Sequence, residues 1–337
     1  MNISTARGAA TIEEVAALAG VSRSTVSRVV NGSTAVSPSA LEAVQDAIAR
    51  LNYVPNRAAR SLARRQTHAV AFVIPEDTER FFGDPFFASI VAGVHERIAG
   101  SDYVLNLIIA SDDPHDKATS YLRSGSVDGV IIASHHTSDT FVERIAADLP
   151  VVYGGRPAGI RLEAHYVDVD NVGGGADAAA YLASRGHRRV ASISGPSTMT
   201  AATDRLRGFR EKGEELGLEL VAVEDGDFSE EGAAAAMRRV LERGVELDAL
   251  FVASDLMARG ALTTLREAGR SVPGDVAIIG FDDSPVATSV TPAFTTIRQP
   301  SHAQGVGMAD VLLSLLEGRE APRATILPTE LVVRDSA

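Results

Sequence analysis

The first 65 residues carry three runs with helical periodicity. Ile12, Val15, Ala16 and Ala19 fall at i, i+3, i+4 and i+7, one apolar stripe of a helix. Thr11 stands before the stripe and Glu14 three residues on, the pattern of a capping box. Gly20 accepts positive φ without steric cost and ends the run. Ser22 caps a second run through Val30, with Val26, Val29 and Val30 inward and Arg23, Ser24, Ser27 and Arg28 outward. Ser37-Pro38 opens a third helix, Ser39 and Glu42 offering a rival capping box, and Leu41, Val44, Ile48 and Leu51 complete a three-helix core. Two short helices about a glycine turn make a helix-turn-helix, whose second helix must hold polar donors outward to read base edges.

From residue 68 the pattern changes to short apolar runs alternating with amphipathic helices. Strands are predicted over 68–75, 103–110, 129–133, 150–153 and 166–169, with helices over 86–99, 115–124 and 140–147 between them and one capped by Asn171 running to 185. A second round has strands over 189–194, 220–223, 249–253 and 276–281 and helices over 204–216, 230–243 and 256–268. A strand at 295–298, a helix at 301–317 and an extended tail at 324–333 follow. This beat predicts parallel sheets covered by helices on both faces, in two comparable halves with a cleft between them.

Charge separates the two parts. Residues 1–65 hold eight Arg against four acidic groups, net +4, while the remainder has 24 basic and 40 acidic residues, net −16. A basic module on an acidic chain is a phosphate-binding footprint, so the overall charge of −12 does not exclude nucleic acid. The chain has no cysteine, which excludes disulfides and thiolate metal sites. It shows no 18-residue apolar run and no signal-peptide core, so a cytoplasmic protein with no membrane partner is expected.

The runs Val15-Ala16, Ala19-Gly20-Val21-Ser22, Thr25-Val26-Ser27-Arg28-Val29-Val30-Asn31, Leu51-Asn52-Tyr53-Val54-Pro55-Asn56 and Ala59-Arg60-Ser61-Leu62 resemble the LacI family of bacterial transcription regulators. Later motifs extend the resemblance over the chain, among them Asp84-Pro85-Phe86-Phe87, Arg205-Leu206-Arg207-Gly208-Phe209 and Gly280-Phe281-Asp282-Asp283. The resemblance implies a helix-turn-helix headpiece at 1–55, a hinge helix at 56–65, and a two-lobed periplasmic-binding-protein-like core at 66–337. That core would be two Rossmann-like parallel-sheet subdomains joined by three crossings. It places Arg23, Ser24 and Arg28 in the major groove and Ser22, Thr25, Ser27 and Asn31 at phosphates, with Thr11 also among the DNA contacts. In the hinge helix it implies Asn56, Arg60, Ser61 and Ala63 at the DNA and Leu62 as a wedge opening the minor groove.

A polyol needs carboxylates and a guanidinium for its hydroxyls and an aromatic face for its ring. Asp84, Arg205 and Asp282 are the candidate anchors, Phe86 and Phe228 the ring platforms, with Asp255 and Gln299 beside them, several just beyond strand ends. Asp170 and Asn171 read as caps of the following helix. Gly173-Gly174-Gly175 lacks the GxGxxG spacing of a nucleotide loop and suits close packing. His135 and His136, with Asp139, lack the i,i+4 spacing of helical metal ligands, and neither GxSxG nor HExxH occurs. No enzyme, cofactor or metal is therefore expected. The reading is a homodimeric repressor of carbohydrate genes on a near-palindromic operator, released by a sugar. A corepressor-dependent, purine-type regulator and a stand-alone sugar-binding protein are the alternatives. Leu62→Ala is expected to reduce operator bending and specific affinity while nonspecific binding persists; gel-phasing measures the bend, and an unaltered angle removes the wedge.

Overall fold

The computed structural model describes residues 10–30, 33, 35–53, 66–111, 113, 115–157 and 164–337. Asn31, Asn56, Arg60, Ser61, Leu62 and Ala63, and with them the predicted hinge helix, lie outside the described residues. Contacts divide the chain into two units, Met1–Thr67 and His68–Ala337.

The first unit is built on α1 (Ile12–Ala19), α2 (Arg23–Val30) and α3 (Pro38–Leu51). Its local signals act as their chemistry dictates. Thr11 and Glu14 form the reciprocal capping box, and Gly20 closes α1 at φ 66°. Ser22 Oγ accepts the Thr25 N–H at 3.1 Å. Ser37, not Ser39, caps α3, accepting from the Ala40 N–H at 3.3 Å, with Pro38 in the first turn. Val15, Ala16, Val26, Val44, Ala47 and Tyr53 are the buried core. Leu41 departs from the predicted stripe and stays 40 % exposed, because the buried face of α3 begins one turn later, at Val44.

The second unit holds two six-stranded sheets. The first has the order β11-β5-β4-β3-β1-β2, formed by β1 (Ala69–Ile74), β2 (Val104–Ile109), β3 (Gly129–Ala133), β4 (Val151–Gly154), β5 (His165–Val169) and β11 (Ala324–Leu327), all parallel. The second has the order β12-β10-β9-β8-β6-β7, formed by β6 (Arg189–Ser194), β7 (Glu219–Asp225), β8 (Ala249–Val252), β9 (Ala277–Asp282), β10 (Thr295–Arg298) and β12 (Glu330–Val332); β12 alone is antiparallel. Every residue of β3 and β8 is buried, as central strands covered on both faces require.

The chain changes sheet after β5, after β10 through α13 (Ser301–Leu316), which packs on the first sheet's side, and between β11 and β12. Each lobe is thus assembled from separated segments. Two short helices escaped the periodicity reading: α4 (Thr78–Gly83) and α12 (Pro285–Ser289) are too short to show a stripe. The predicted helix at 115–124 is α6 (Lys117–Tyr121) followed by a π-helical turn through Ser126, broken where Gly125 takes φ 77°.

Helices α8 (Asn171–Ser184) and α9 (Thr200–Glu215) cross at van der Waals contact of their backbones. A Cβ on Gly175 would lie 2.1 Å from the Arg205 carbonyl oxygen, and one on Gly208 would lie 2.0 Å from that of Val172. Of the three-glycine run, Gly175 serves this helix crossing, while Gly174 packs on Phe281 and Ile297 of the sheet. Gly175→Ala is expected to destabilise the protein by about 1–3 kcal/mol through overpacking, read as a lower denaturation midpoint.

Candidate functional site

On the first unit, α2 presents Ser22, Arg23, Ser24 and Arg28 to solvent, with Thr25 and Ser27 partly covered. The hydroxyls of Ser24 and Thr25 lie 2.8 Å and 2.9 Å from that of Ser22. Arg23 stands 3.3 Å from Glu13 on α1, both well exposed, so the pair is weak. Thr11 is committed to its helix: its N–H donates to Glu14 at 2.7 Å, and this bonding holds the Glu14 carboxyl below its ordinary value. The surface is a row of hydroxyl and guanidinium donors held outward by Val26, which is fully buried.

In the second unit the carboxyl ends of both sheets face a common cleft, where open α/β folds bind ligands. The loop region after β1 brings Asp84 and the loop after β3 brings Ser134 and His135 from one lobe; the loops after β7 and β10 bring Phe228 and Gln299, and the end of β9 brings Asp282, from the other. The lobes touch across the cleft. Thr137 N–H donates to the Thr198 carbonyl at 3.0 Å, His136 Nδ1 lies 2.7 Å from Thr198 Oγ1, and Arg156 donates to Asp204 at 2.7 Å.

Arg205, on α9, is the centre of this cleft and is only 5 % exposed. Its Nε donates to Asn171 Oδ1 at 2.8 Å, Nη1 to the Ala253 carbonyl at 2.6 Å and Nη2 to Gln299 Oε1 at 3.3 Å. The Asp282 carboxylate lies 3.6 Å from Nη1, and the guanidinium stacks 3.7 Å from the centroid of Phe281. A guanidinium has five N–H donors, so donors remain for a ligand. Burial lowers its pKa, opposed by the carboxylates of Asp282, Asp168, Asp84 and Asp255.

The carboxylates feel the same burial. Asp282 is pushed well above its ordinary value by desolvation, against the pull of Arg205, and its backbone is held at φ 110°, a region costly for any residue but glycine. Asp168 and Asp84 are raised by burial too, Asp84 against the N–H of Phe86, which it caps at 2.9 Å. Gln299 ties the pair together, its amide donating to Asp282 at 2.5 Å.

Of the seven residues the sequence nominated here, Asp84, Phe86, Arg205, Phe228, Asp282 and Gln299 line one cavity. Asp255 does not. It is fully buried behind the wall, where Oδ1 accepts from the Thr296 hydroxyl at 2.7 Å and Oδ2 from the Ser284 N–H at 2.8 Å. Its carboxylate braces the loop after β9; Ser254, the cap of α11 (Asp255–Glu267), is its neighbour on the cavity wall. Asn171 is corrected as well: Asp170 caps α8, while Asn171 donates to Asp168 at 2.9 Å and orients Arg205.

Arg80, Ser134, His135 and Gln304 line the cavity without having been singled out as ligand residues. Arg80 sits on one of the two unforeseen helices, and Gln304 reads as an ordinary position of a long apolar helix. His135 Nδ1 and Gln304 Oε1 are buried with no hydrogen-bond partner among the described residues, a cost that a hydroxylated ligand would relieve. Burial lowers the His135 pKa to about 4, so the ring is neutral.

Residues 11–56 match the family model described as bacterial regulatory proteins, lacI family, and residues 179–337 match that of the periplasmic binding protein-like domain. The HTH-type transcriptional regulator CelR of Thermobifida fusca is 46% identical over 334 residues, 97% of this chain and 98% of the relative. The ribose operon repressor of Escherichia coli is 34% identical over 311 residues, 90% of this chain and 92% of the relative. Among solved structures, the complex of the transcriptional regulator CelR with cellobiose superposes with TM-score 0.78 at 43% identity, covering 97% of this chain and 100% of that one. The lac repressor dimer bound to operator and the anti-inducer ONPF gives TM-score 0.85 at 28% identity, covering 97% and 99%.

Burial raises the Asp255 carboxyl from 3.8 to about 7. The folded state thus binds this proton more tightly than the unfolded chain, so the group lowers stability as pH rises between those two values. Asn at this position can still accept from Ser284 and donate to Thr296 without a charge. The melting temperature of Asp255→Asn relative to wild type is expected to climb through that window and level off above it; a flat difference across the window would show that the carboxylate is not destabilised.

Proposed function

The chain belongs to the lacI family of bacterial regulatory proteins, and from that premise we propose a homodimeric, carbohydrate-responsive repressor that a small saccharide releases from its operator. The observation that carries the reading is the Arg205 cluster. One guanidinium stands among the carboxylates of Asp84, Asp168 and Asp282. With Arg80 as a second guanidinium on its wall, such a cavity offers acceptors and donors to a neutral polyhydroxylated ring, with Phe86 and Phe228 as apolar walls.

A relative bound to cellobiose supports a disaccharide of this kind as the effector. Relatives across the full length are transcriptional regulators, which supports a binding protein rather than an enzyme. No helix among the described residues is long and apolar enough to cross a membrane, in keeping with a cytoplasmic regulator. In this reading α2 lies in the major groove, and a second copy places its own on the other half of a near-palindromic site. Arg23, Ser24 and Arg28 read bases, while Ser22, Thr25 and Ser27 hold phosphates. The ligand acts by binding one relative arrangement of the lobes more tightly than the other.

The test is fluorescence anisotropy of the full-length protein on promoter fragments upstream of neighbouring carbohydrate genes, with and without cellobiose. A specific complex that dissociates on adding the sugar supports the proposal. Tighter binding with ligand would make it a corepressor system, and no preference over random duplex would end the reading. Arg28→Ala is expected to weaken the specific complex by about 1–3 kcal/mol and relax the base preference at its contact. Competition with single-base operator variants checks this.

A further inference from the structure

The cleft continues beyond the cavity around Arg205. A second cavity, of about 500 Å³, opens on its outer side and is also shared between the lobes: Glu76, Glu79 and Arg80 face Asp227, Glu231 and Leu256. Two residues line both cavities, Arg80 and Phe228. Their side chains are therefore the wall between an inner and an outer chamber.

That wall is built at some cost. Asp227 and Phe228 have φ of 52° and 44°, a region disfavoured for residues larger than glycine. The Phe228 ring lies so close to Gly195 that a Cβ there would meet Cε2 at 2.1 Å, so only glycine admits it. From the opposite lobe, the Arg80 guanidinium stands 5.8 Å from the ring centroid and donates to the Asp227 carbonyl at 3.2 Å. It is flanked by the Glu76 carboxylate at 3.4 Å and that of Asp227 at 3.7 Å, the latter 70% exposed. Phe228 is fixed by its backbone. Arg80 is held on its outer side by a solvated partner, the longer and more exposed of its two ion pairs.

The inner chamber encloses about 80 Å³. That is less than the roughly 150 Å³ of a cavity that holds one benzene ring, so it has no space for two sugar rings. A ligand of more than one ring does not fit there without passing the wall.

We propose that the Arg80–Phe228 wall is a length-selecting gate: the inner chamber takes one sugar ring, the outer chamber takes the next ring of the same oligosaccharide, and Arg80 swings off Asp227 as the chain passes. The inference rests on the saccharide reading of the cleft. Glu79 and Glu231 supply hydroxyl acceptors in the outer chamber, and Phe228 offers a ring face at the junction. A ligand spanning both chambers touches both lobes twice, so chain length sets how firmly the lobes are held together.

The experiment titrates the full-length protein with glucose, cellobiose and cellotriose by calorimetry, in wild type, Leu256→Trp and Arg80→Ala. Leu256 lines the outer chamber only, so tryptophan narrows that chamber and leaves the inner one intact. Wild type is expected to bind the two- and three-ring sugars more tightly than glucose. Leu256→Trp is expected to weaken cellobiose and cellotriose by about tenfold or more while glucose stays within about twofold. Arg80→Ala is expected to raise the cellotriose-to-glucose affinity ratio about tenfold. Equal affinities in wild type, equal losses for all three sugars in Leu256→Trp, or an unchanged ratio in Arg80→Ala overturn the gate while the saccharide reading stands. No binding of any of the three to wild type overturns both. Circular dichroism melts establish that each variant is folded; should Leu256→Trp not fold, the Arg80→Ala ratio decides.

Discussion

Burying the charge of Arg205 is the constraint on which the core depends. A guanidinium at 5 % exposure is tolerable only with its donors filled and its charge opposed. Asn171, the Ala253 carbonyl and Gln299 fill donors, and Asp282 opposes the charge. Burial raises the pKa values of the carboxylates nearby, and with three of them lining it the cavity has more acceptors than cations. The arrangement suits a neutral, hydroxyl-bearing guest, and the unpartnered groups on His135 and Gln304 suit one as well.

Two partners of Arg205 sit where the chain passes between lobes. Asn171 follows β5 at the first crossing, and Gln299 follows β10 at the second. Movement of one lobe against the other is absorbed by backbone rotation at such segments, so the group that meets the ligand is bonded to the segments that move. Strain is concentrated here too: Asp227, Phe228, Asp282 and Asp283 all carry positive φ at the cleft edge. The close glycine crossing of α8 and α9 then gives Arg205 and Asn171 a rigid base. Rigid helices, strained loops and three crossings are the features through which, in the proposed function, a ligand would favour one arrangement of the lobes.

Much of this was legible along the chain. Thr11, Glu14, Gly20 and Ser37 state helix ends through short-range hydrogen bonding and φ preference, and the structure uses each of them as its chemistry suggests. Apolar runs such as Gly129–Ala133 announce central strands because both faces of those strands leave water. The capping roles of Asp170 and Asn171 were harder to separate. Both can cap, and the difference is that Asn171 is turned inward to Arg205, a contact 34 residues away. The helix of Arg80 has six residues, less than two turns, and shows no periodicity at all.

The sequence by itself determined the helix-turn-helix, the alternation of strand and helix, the charge division and most of the polar groups of the cleft, since these rest on local propensity and residue chemistry. Tertiary structure alone decided that Asp255 braces a loop behind the cavity, that His135 and Gln304 face it, and that Arg80 and Phe228 divide the cleft into two chambers. Those outcomes depend on which lobe each loop belongs to and on how the three crossings bring distant strand ends together, and nothing in the neighbourhood of a residue along the chain encodes that.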